Sequence, residues 1–160
     1  MCVFLGLGSN VGNRVNYILK ALKGLKSFCE IVKISTVYES QPWGVGNQPN
    51  FLNCVVEVRT DHNPFQFLDK LKKLEKEIGR RYTYRWGPRE IDIDILLWKN
   101  KVLELPFLQI PHPYLEERDF FLIPLIELNE KLINPKTGIA LRKVAEKNSN
   151  SLKPYCCILL

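Results

Sequence analysis

Two aspartates one residue apart, Asp92 and Asp94, are the side chains in this sequence best suited to chemistry. They lie in residues 85–98 (RWGPREIDIDILLW), where Ile91, Ile93, Ile95 and Leu97 point to one face of a predicted strand, so both carboxylates project from the other face, with Cα atoms roughly 6.5 Å apart. Carboxylates this close repel unless one is protonated or a cation lies between them. Such a pair suits Mg²⁺, which takes one or two carboxylates and completes its shell with water and phosphates. By spacing alone, a half-solvated strand with an acidic face is the simpler explanation.

Arginines crowd the segment just before these aspartates: Arg80, Arg81, Arg85 and Arg89. Guanidinium groups match phosphate oxygens bidentately, so cations beside a carboxylate pair favour a site for a metal-bound polyphosphate. Charge pairing between the arginines and the aspartates is the competing explanation. Within the same segment, Trp86, Gly87 and Pro88 are expected to form a rigid turn that carries an aromatic face.

Other polar residues give weaker signals. Glu75 borders the apolar stripe of a predicted helix, where snorkelling or a lysine partner such as Lys72 is the simpler explanation. His112 lies in a loop preset by Pro111 and Pro113, and a lone histidine is more often structural. Residues 40–50 (SQPWGVGNQPN) must form a loop, and loops of this length are often functional.

The chain opens with VFLGLGSNVGN, which resembles a phosphate-binding loop between a strand and a helix. The spacing of Gly6, Gly8 and Gly12 is one residue longer than the dinucleotide fingerprint, and no G-K-[ST] follows. The only acid near the expected distance, Glu30, precedes the second strand. The glycines are therefore interpreted as the turn from a central strand into the first helix, and the phosphates are expected near Asp92 and the arginines.

The elements that must position these residues follow a simple order. Apolar runs and period-two patterns predict strands over residues 2–7, 31–39, 51–59 and 91–98, and helical spacing predicts helices over 12–27 and from an Asn63 N-cap to Gly79. This βαββαβ order is typical of an α+β, ferredoxin-like fold. A further strand or hairpin is expected within 101–110, a turn at 133–138, and short helices over 120–127 and 141–147.

Composition predicts one globular domain over residues 1–160. The chain is 46% hydrophobic and 25% charged, which allows a substantial core. No window holds 18 uninterrupted apolar residues and no secretory leader is recognisable, so we expect a cytoplasmic protein without a membrane partner. A net charge of +6 suggests anionic ligands.

The cysteines predict neither a disulfide scaffold nor a zinc site. There are five, scattered without a C-x-x-C pair, and only two histidines accompany them. The chain ends in CCILL, so Cys157 formally begins a C-a-a-X prenylation box. An ordinary tail is the simpler explanation, because basic residues upstream are sparse.

Several segments together resemble the 6-hydroxymethyl-7,8-dihydropterin pyrophosphokinases of folate biosynthesis. They are GLGSN, YESQPWGVGNQPNFLNCVV, LEKEIGRR, RWGPREIDIDIL and IPHPYLEERDFFLIPL, which cover most of the chain from Val3 to about Asn134. The resemblance implies transfer of a pyrophosphoryl group from ATP to the hydroxymethyl oxygen of the dihydropterin, with release of AMP. It also leaves room for association or fusion with other folate-pathway enzymes.

The resemblance assigns a role to each matching residue. Asp92 and Asp94 match the aspartates that bind two Mg²⁺ ions, and they are expected to act in catalysis with Arg80 and Arg89. The implied ATP-binding residues are Glu75, Arg80, Arg85, Arg89, His112 and Arg118. The implied pterin-binding residues are Gly8, Ser9, Asn10, Ser40, Trp43, Phe51, Asn53, Trp86 and Phe120, with Trp86 and Phe120 as an aromatic pair that sandwiches the ring.

The sequence departs from the family's pattern after Gly79. The family commonly shows G-R-x-R there, whereas GRRYTYRW places the second arginine one position early and leaves Tyr82 where an arginine is usual. Lys72 stands where glutamine is expected, and Phe51 where tyrosine is frequent. Neither of these two changes touches the predicted metal site.

Two functions of other classes compete with the kinase. The same element order builds RNA-recognition domains, but these carry a K/R-G-F/Y-G/A-F-V-x-F/Y stretch that the sequence lacks, and Asp92 and Asp94 would repel phosphates without a metal. A small metal-dependent hydrolase or acyl-phosphate enzyme would need a second acidic or histidine cluster. We therefore expect ATP and the dihydropterin as partners and no nucleic acid.

Overall fold

The computed structural model describes residues 1–42, 44, 46–148 and 151–159. Within these residues the chain forms eight strands and four helices. The strands are β1 (Cys2–Ser9), β2 (Glu30–Ile34), β3 (Val37–Ser40), β4 (Phe51–Arg59), β5 (Asp92–Trp98), β6 (Leu103–Leu105), β7 (Leu108–Ile110) and β8 (Lys153–Cys156). The helices are α1 (Arg14–Leu25), α2 (Pro64–Ile78), α3 (Asp119–Leu128) and α4 (Leu141–Lys147).

The main sheet is antiparallel, with the order β5-β1-β4-β3-β8, and β2 also pairs with β4. Since β2 and β3 both lie along β4, the central arrangement is the predicted βαββαβ fold with an interrupted second strand. The ferredoxin-like prediction is confirmed, as are a hairpin in 101–110 (β6 and β7) and the short helices α3 and α4.

Two apolar clusters cover opposite faces of the sheet. Val3, Leu5 and Leu7 of β1 belong to the larger cluster, which also contains the buried side chains of α1 and α2. Phe4 belongs to the second cluster, with Phe121 and other residues of α3 and α4. The period-two alternation of a strand buried on both faces explains this division.

The predicted strand over residues 31–39 is interrupted at Ser35 and Thr36. The Ser35 hydroxyl accepts from the Val55 N–H at 2.9 Å, and Thr36 donates both its N–H and its hydroxyl to Glu127 of α3, at 2.8 and 2.9 Å. The Ser35 N–H still donates to the Val55 carbonyl at 2.9 Å, but Thr36 turns to Glu127, and the pairing register has moved by one residue when it resumes in β3. The single strand predicted here was therefore wrong.

A bulge in β5 changes the face of its last residues. Leu5 pairs with Ile95 and Phe4 with Leu97, so Leu96 is an extra residue. Leu97 consequently lies in the α3 cluster, and Trp98 packs edge-on against Phe67 at 5.6 Å in the larger one. The prediction that Leu97 shares a face with Ile91, Ile93 and Ile95 was wrong, while the alternation up to Ile95 is confirmed.

The ends of α2 are fixed as the sequence predicts. Asn63 and Gln66 form a reciprocal capping box, with Pro64 in the first turn. At the other end Gly79 adopts a left-handed conformation (φ 118°), and the N–H of Arg80 returns to the Glu75 carbonyl at 3.0 Å. This turn brings Arg80 back over the last turn of the helix.

None of the four helices in the described part of the chain has the length and apolar character needed to cross a membrane.

Candidate active site

A cleft lies over the centre of the sheet on the side of α3. It encloses about 500 Å³ including its open mouth. The residues that line it are Gly6, Leu7, Gly8, Phe51, Asn53, Trp86, Arg89, Asp92, Asp94, Arg118, Phe120 and Phe121. Most of the residues predicted from the sequence therefore meet in one place.

The strand register explains how the two ends of this cleft are built. β1 runs between β5 and β4, with Gly8 paired to Asp92 on one side and to Asn53 on the other, and Gly6 paired to Asp94. A Cβ on Gly8 would lie 2.9 Å from the Asn53 Oδ1. The two glycines therefore keep the floor of the cleft free of side chains between the carboxylates and the amide.

Asp92 is held by two guanidinium groups. Arg80 Nη1 lies 3.0 Å from Asp92 Oδ1, and Arg89 Nη1 lies 3.0 Å from Asp92 Oδ2. Although burial opposes ionisation, Arg89 and Arg80 hold the pKa of Asp92 below its ordinary value. The charge pairing considered as an alternative explanation for the arginines is therefore present, and it brings both of them to the carboxylate pair.

Glu75 anchors this network from α2. Its Oε2 accepts from Arg80 Nη1 at 2.7 Å and from the Ile93 N–H at 2.8 Å, while its Oε1 lies 3.5 Å from the Lys72 ammonium. The carboxylate is 3% exposed, so the predicted lysine partner is found but the snorkelling alternative is wrong. Placed in this way, Glu75 orients Arg80 and ties the end of α2 to β5.

Asp94 has a different environment although it shares the strand face. Burial, and then the charge of Asp92, raise its pKa to about 8. The described residues contain no cluster of three or more side chains that could hold a metal. A half-buried carboxylate pair of which only Asp92 is compensated by arginines fits a cation that takes only two protein ligands and fills its remaining positions with phosphate and water, as Mg²⁺ does.

A second groove opens on the other side of Asp94, between α2 and the β6–β7 hairpin. It is lined by the apolar residues Leu68, Ile93, Ile95, Pro106, Phe107, Leu108 and Pro113 and by the polar residues Lys72, Asp94, Gln109 and His112. Sequence reasoning identified only Asp94 and His112 among these as site residues. The sequence offered one sign of this groove, which is the large aromatic residue Phe107 in a segment predicted to form a hairpin. In the structure Phe107 lies in the tight turn of that hairpin and is 66% exposed.

His112 is half-buried at the end of this groove, and the centroid of its ring lies 4.9 Å from that of Phe121, which lines the cleft. Burial, followed by the charge of Arg118, lowers its pKa to about 4, so the imidazole is neutral near pH 7. Its Nδ1 accepts from the Tyr114 N–H at 3.0 Å, which leaves the proton on Nε2 and makes that nitrogen a donor.

The loop that follows α2 forms a third, more exposed groove lined by Arg80, Arg81, Tyr82, Arg85 and Arg89, among others. The Arg85 guanidinium lies 4.7 Å from the centroid of the Trp86 ring. Arg85 therefore contributes a cation beside the aromatic wall and does not line the cleft itself.

Three of the predicted pterin-binding residues do not line the cleft with their side chains. Ser9 is fully buried and is not among the residues that line the cleft, and its contact with the pterin stays a prediction. The Asn10 amide is used by the protein: Nδ2 donates to Gln48 and Pro49, and Oδ1 accepts from the Arg89 N–H at 2.9 Å.

Ser40 acts on the cleft through a neighbour. Its hydroxyl accepts from Asn53 Nδ2 at 2.6 Å, which fixes the amide and turns Oδ1 towards Gly8 and the floor. Trp43 lies outside the described residues. Gly44, which sequence reasoning missed, adopts φ 91°, and a Cβ there would lie 2.5 Å from the Trp86 ring.

The chain is similar to known proteins along nearly its whole length. Residues 4–130 match the family described as 7,8-dihydro-6-hydroxymethylpterin-pyrophosphokinase (HPPK). The 2-amino-4-hydroxy-6-hydroxymethyldihydropteridine pyrophosphokinase of Aquifex aeolicus is 55% identical over 157 residues, which cover 98% of this chain and 97% of that protein. The folic acid synthesis protein of Pneumocystis carinii is 41% identical over 91% of this chain but only 20% of its own length.

Solved structures agree on the fold. The wild-type HPPK-DHPS of Plasmodium falciparum superposes with a TM-score of 0.72 at 17% identity, over 91% of this chain. The chain spans 44% of that longer protein. With the family match extending over most of the chain and a relative 55% identical along nearly its whole length, this chain belongs to the 7,8-dihydro-6-hydroxymethylpterin-pyrophosphokinase family.

Proposed function

We propose that this chain transfers the pyrophosphoryl group of ATP to the hydroxymethyl oxygen of 6-hydroxymethyl-7,8-dihydropterin and releases AMP, a step of folate biosynthesis. The observation that carries the proposal is the shared cleft, in which Trp86, Phe120 and Asn53 lie beside Asp92 and Asp94. A flat heterocycle needs aromatic surfaces on which to stack, and a metal-bound polyphosphate needs carboxylates that hold the metal. The cleft provides both side by side.

The aromatic end of the cleft suits the pterin. Trp86 and Phe120 offer ring faces for stacking, and Phe51 adds apolar surface. Because Ser40 takes the Nδ2 donor of Asn53, Oδ1 is left as an acceptor for an N–H on the edge of the ring. Gly8 allows the ring to lie close to β1, and Ser9 and Asn10 support the loop that follows.

The groove between α2 and the β6–β7 hairpin suits the adenine of ATP. Leu68, Phe107 and Leu108 supply apolar surface, and the groove ends at Asp94 and His112. A neutral His112 can donate from Nε2 to an oxygen of the nucleotide. Along this path the triphosphate would reach the cations contributed by Arg118 and by the loop after α2.

Asp92 and Asp94 are the residues that would hold Mg²⁺, and two ions are expected with ATP. When bound there, Mg²⁺ would neutralise the negative charge of the phosphate oxygens around the β-phosphorus. Arg80 and Arg89 compensate Asp92 in the ligand-free protein. They lie close enough to turn their guanidinium groups to phosphate oxygens, with Glu75 holding Arg80 and Arg85 adding positive charge nearby.

Positioning and charge are the contributions of the chain to this reaction. A pterin stacked in the cleft would have its hydroxymethyl group beside the carboxylate pair, and the arginines would orient the phosphate chain. The transfer requires no strong base, in keeping with the absence of a histidine from the cleft lining among the described residues.

The test is to incubate the protein with Mg-ATP and 6-hydroxymethyl-7,8-dihydropterin and to identify the nucleotide formed. We expect AMP, formed only when the pterin is present. ADP, or nucleotide release that does not depend on the pterin, would overturn the assignment and would favour a hydrolase.

We also propose a domain organisation, a cellular location and a set of partners for this chain. Residues 1–160 act as a single pyrophosphokinase domain in the cytoplasm, where ATP is available. Its partners are small molecules, since Asp92 and Asp94 oppose nucleic-acid phosphates in the absence of a metal. The names of the longer relatives support an association or fusion with other folate-pathway enzymes in some organisms.

A further inference from the structure

The C-terminal strand β8 lies at the edge of the sheet, next to the strand that leads to the rim of the cleft. It pairs with β3, with Lys153 opposite Glu39. β3 ends at Ser40, which fixes the Asn53 amide. β8 is therefore adjacent to the strand that carries Ser40, the residue that orients the Asn53 amide in the proposed pterin site.

Arg14, the first residue of α1, joins the two ends of the loop over residues 41–50. Its Nη1 donates to Glu39 Oε2 at 2.8 Å and to the Asn50 carbonyl at 3.0 Å. Glu39 lies just before the loop and Asn50 is its last residue, followed by Phe51 in the cleft wall. One guanidinium group thus closes the base of the loop.

Tyr155 of β8 covers this guanidinium group. The Arg14 Cζ lies 5.6 Å from the centroid of the Tyr155 ring, within the range of a cation–π contact. The segment is held in place because Cys156 and Ile158 pack against the larger apolar cluster. The Tyr155 ring therefore restrains the Arg14 guanidinium group, and this group in turn holds together the two ends of the 41–50 loop.

The segment before β8 also contacts the opposite wall of the cleft. The Ser151 N–H donates to Asp119 Oδ2 at 3.0 Å, and Asp119 begins α3 directly before Phe120. Ser40, Gln41, Phe120 and Ser151 line one shared groove. The C-terminal segment thus contacts the residue before Phe120 and, through Tyr155, the guanidinium group at the base of the loop.

We propose that Arg14 and Tyr155 are positioning residues that set the affinity for the pterin by holding the base of the 41–50 loop. This inference rests on the proposed function. A loop fixed before binding costs less conformational entropy when the ligand arrives, so its loss weakens binding. Neither residue lines the groove assigned to ATP, so the effect is confined to one substrate.

The experiment compares Arg14→Gln, Tyr155→Ala and Tyr155→Phe with the wild type in steady-state kinetics of AMP formation. We expect the KM for the pterin to rise about tenfold in Arg14→Gln and about threefold in Tyr155→Ala, with the KM for ATP changed less than about twofold. Tyr155→Phe keeps the ring and should match the wild type. Ile139→Ala is the control, because Ile139 is exposed to a similar extent (47% against 50%) and lies outside both substrate grooves.

Hydrogen exchange provides a readout that does not depend on the reaction. In Arg14→Gln and Tyr155→Ala the amides of residues 46–48 and 50 should exchange faster, and in Ile139→Ala they should not. Unchanged pterin KM and unchanged exchange in an active Arg14→Gln protein would overturn the inference, as would an equal rise in both KM values. A wild type that forms no pterin-dependent AMP would instead overturn the proposed function, and the exchange rates would still decide whether these residues hold the loop.

Discussion

Glu75, Asp92 and Asp94 carry the same functional group but have different surroundings and therefore different tasks. Asp92 is compensated by Arg80 and Arg89, and its pKa is lowered. Glu75 is buried and receives Arg80 and a backbone N–H. Asp94 has no ion pair among the described residues, and its pKa rises to about 8. The pair exposed to the cleft is suited to a metal, and the buried Glu75 to positioning.

Glu75→Gln should raise the KM for ATP about tenfold, because Arg80 loses its charged anchor and with it the orientation proposed for phosphate binding. The amide group also brings a donor to face Lys72. Steady-state kinetics with varied ATP would measure the change. Glu77→Gln is the matched control, since Glu77 is exposed on the same helix two residues later.

A double variant separates positioning from direct contact with ATP. If Glu75 acts through Arg80, adding Glu75→Gln to an Arg80→Ala protein should change the KM for ATP by less than about twofold. Additive losses would mean that Glu75 contributes independently of Arg80 and would contradict this account.

Residue types and local spacing indicated the carboxylate pair, the arginines and the aromatic turn at Trp86, because these lie in one short segment. Phe120 was predicted only through the family resemblance. Residue types and spacing did not predict the burial of Ser9. The strand continues to Ser9 and does not end at Leu7, and the Ser9 side chain is fully buried. Where a strand ends depends on its partners, and both neighbours of β1 reach that far.

Helices α1 and α2 were predictable for the same reason that the carboxylate pair was. Their apolar stripes and caps are local, and the Asn63 capping box is formed as expected. The interruption between β2 and β3 is not local, because it depends on Glu127, some 90 residues further along the chain. The pairing of β8 with β3 joins equally distant segments, and no pattern in residues 151–160 indicated it.

The close packing between β1 and α3 makes Gly6 sensitive to substitution. A Cβ at this position would lie 3.0 Å from the Phe121 ring and 3.4 Å from Leu96, which occupies the bulge of β5. Gly6→Ala should lower the free energy of unfolding by about 1–3 kcal/mol, because the aromatic ring has to move within a packed cluster. Urea denaturation would measure the loss. Gly46→Ala is the control, since its Cβ would meet no atom within 4 Å, and a similar loss there would contradict the steric explanation.

The carboxylate pair also links the stability of the folded chain to pH and to metal. The folded-state pKa of Asp94 is about 8 against 3.8 for a free aspartate, so the folded protein binds a proton that the unfolded chain has lost. Stability should therefore fall as pH rises from about 4 to about 8. Asp92 and His112 have the opposite effect on the stability of the folded chain, and they have it at lower pH. Their folded pKa values are lowered, so their contributions are lost as pH falls below about 6.5 for His112 and below about 4 for Asp92.

Asp94→Asn should separate these effects. Without divalent cations at pH 8, the variant should unfold at a temperature higher than the wild type by on the order of 5 °C, and the difference should vanish towards pH 4. It should form no AMP. Millimolar Mg²⁺ should raise the unfolding temperature of the wild type at pH 8 and leave the variant unchanged, because the cation binds only where both carboxylates can ionise. A variant that is less stable than the wild type at pH 8, or that still responds to Mg²⁺, would show that Asp94 is not the uncompensated charge in the cleft.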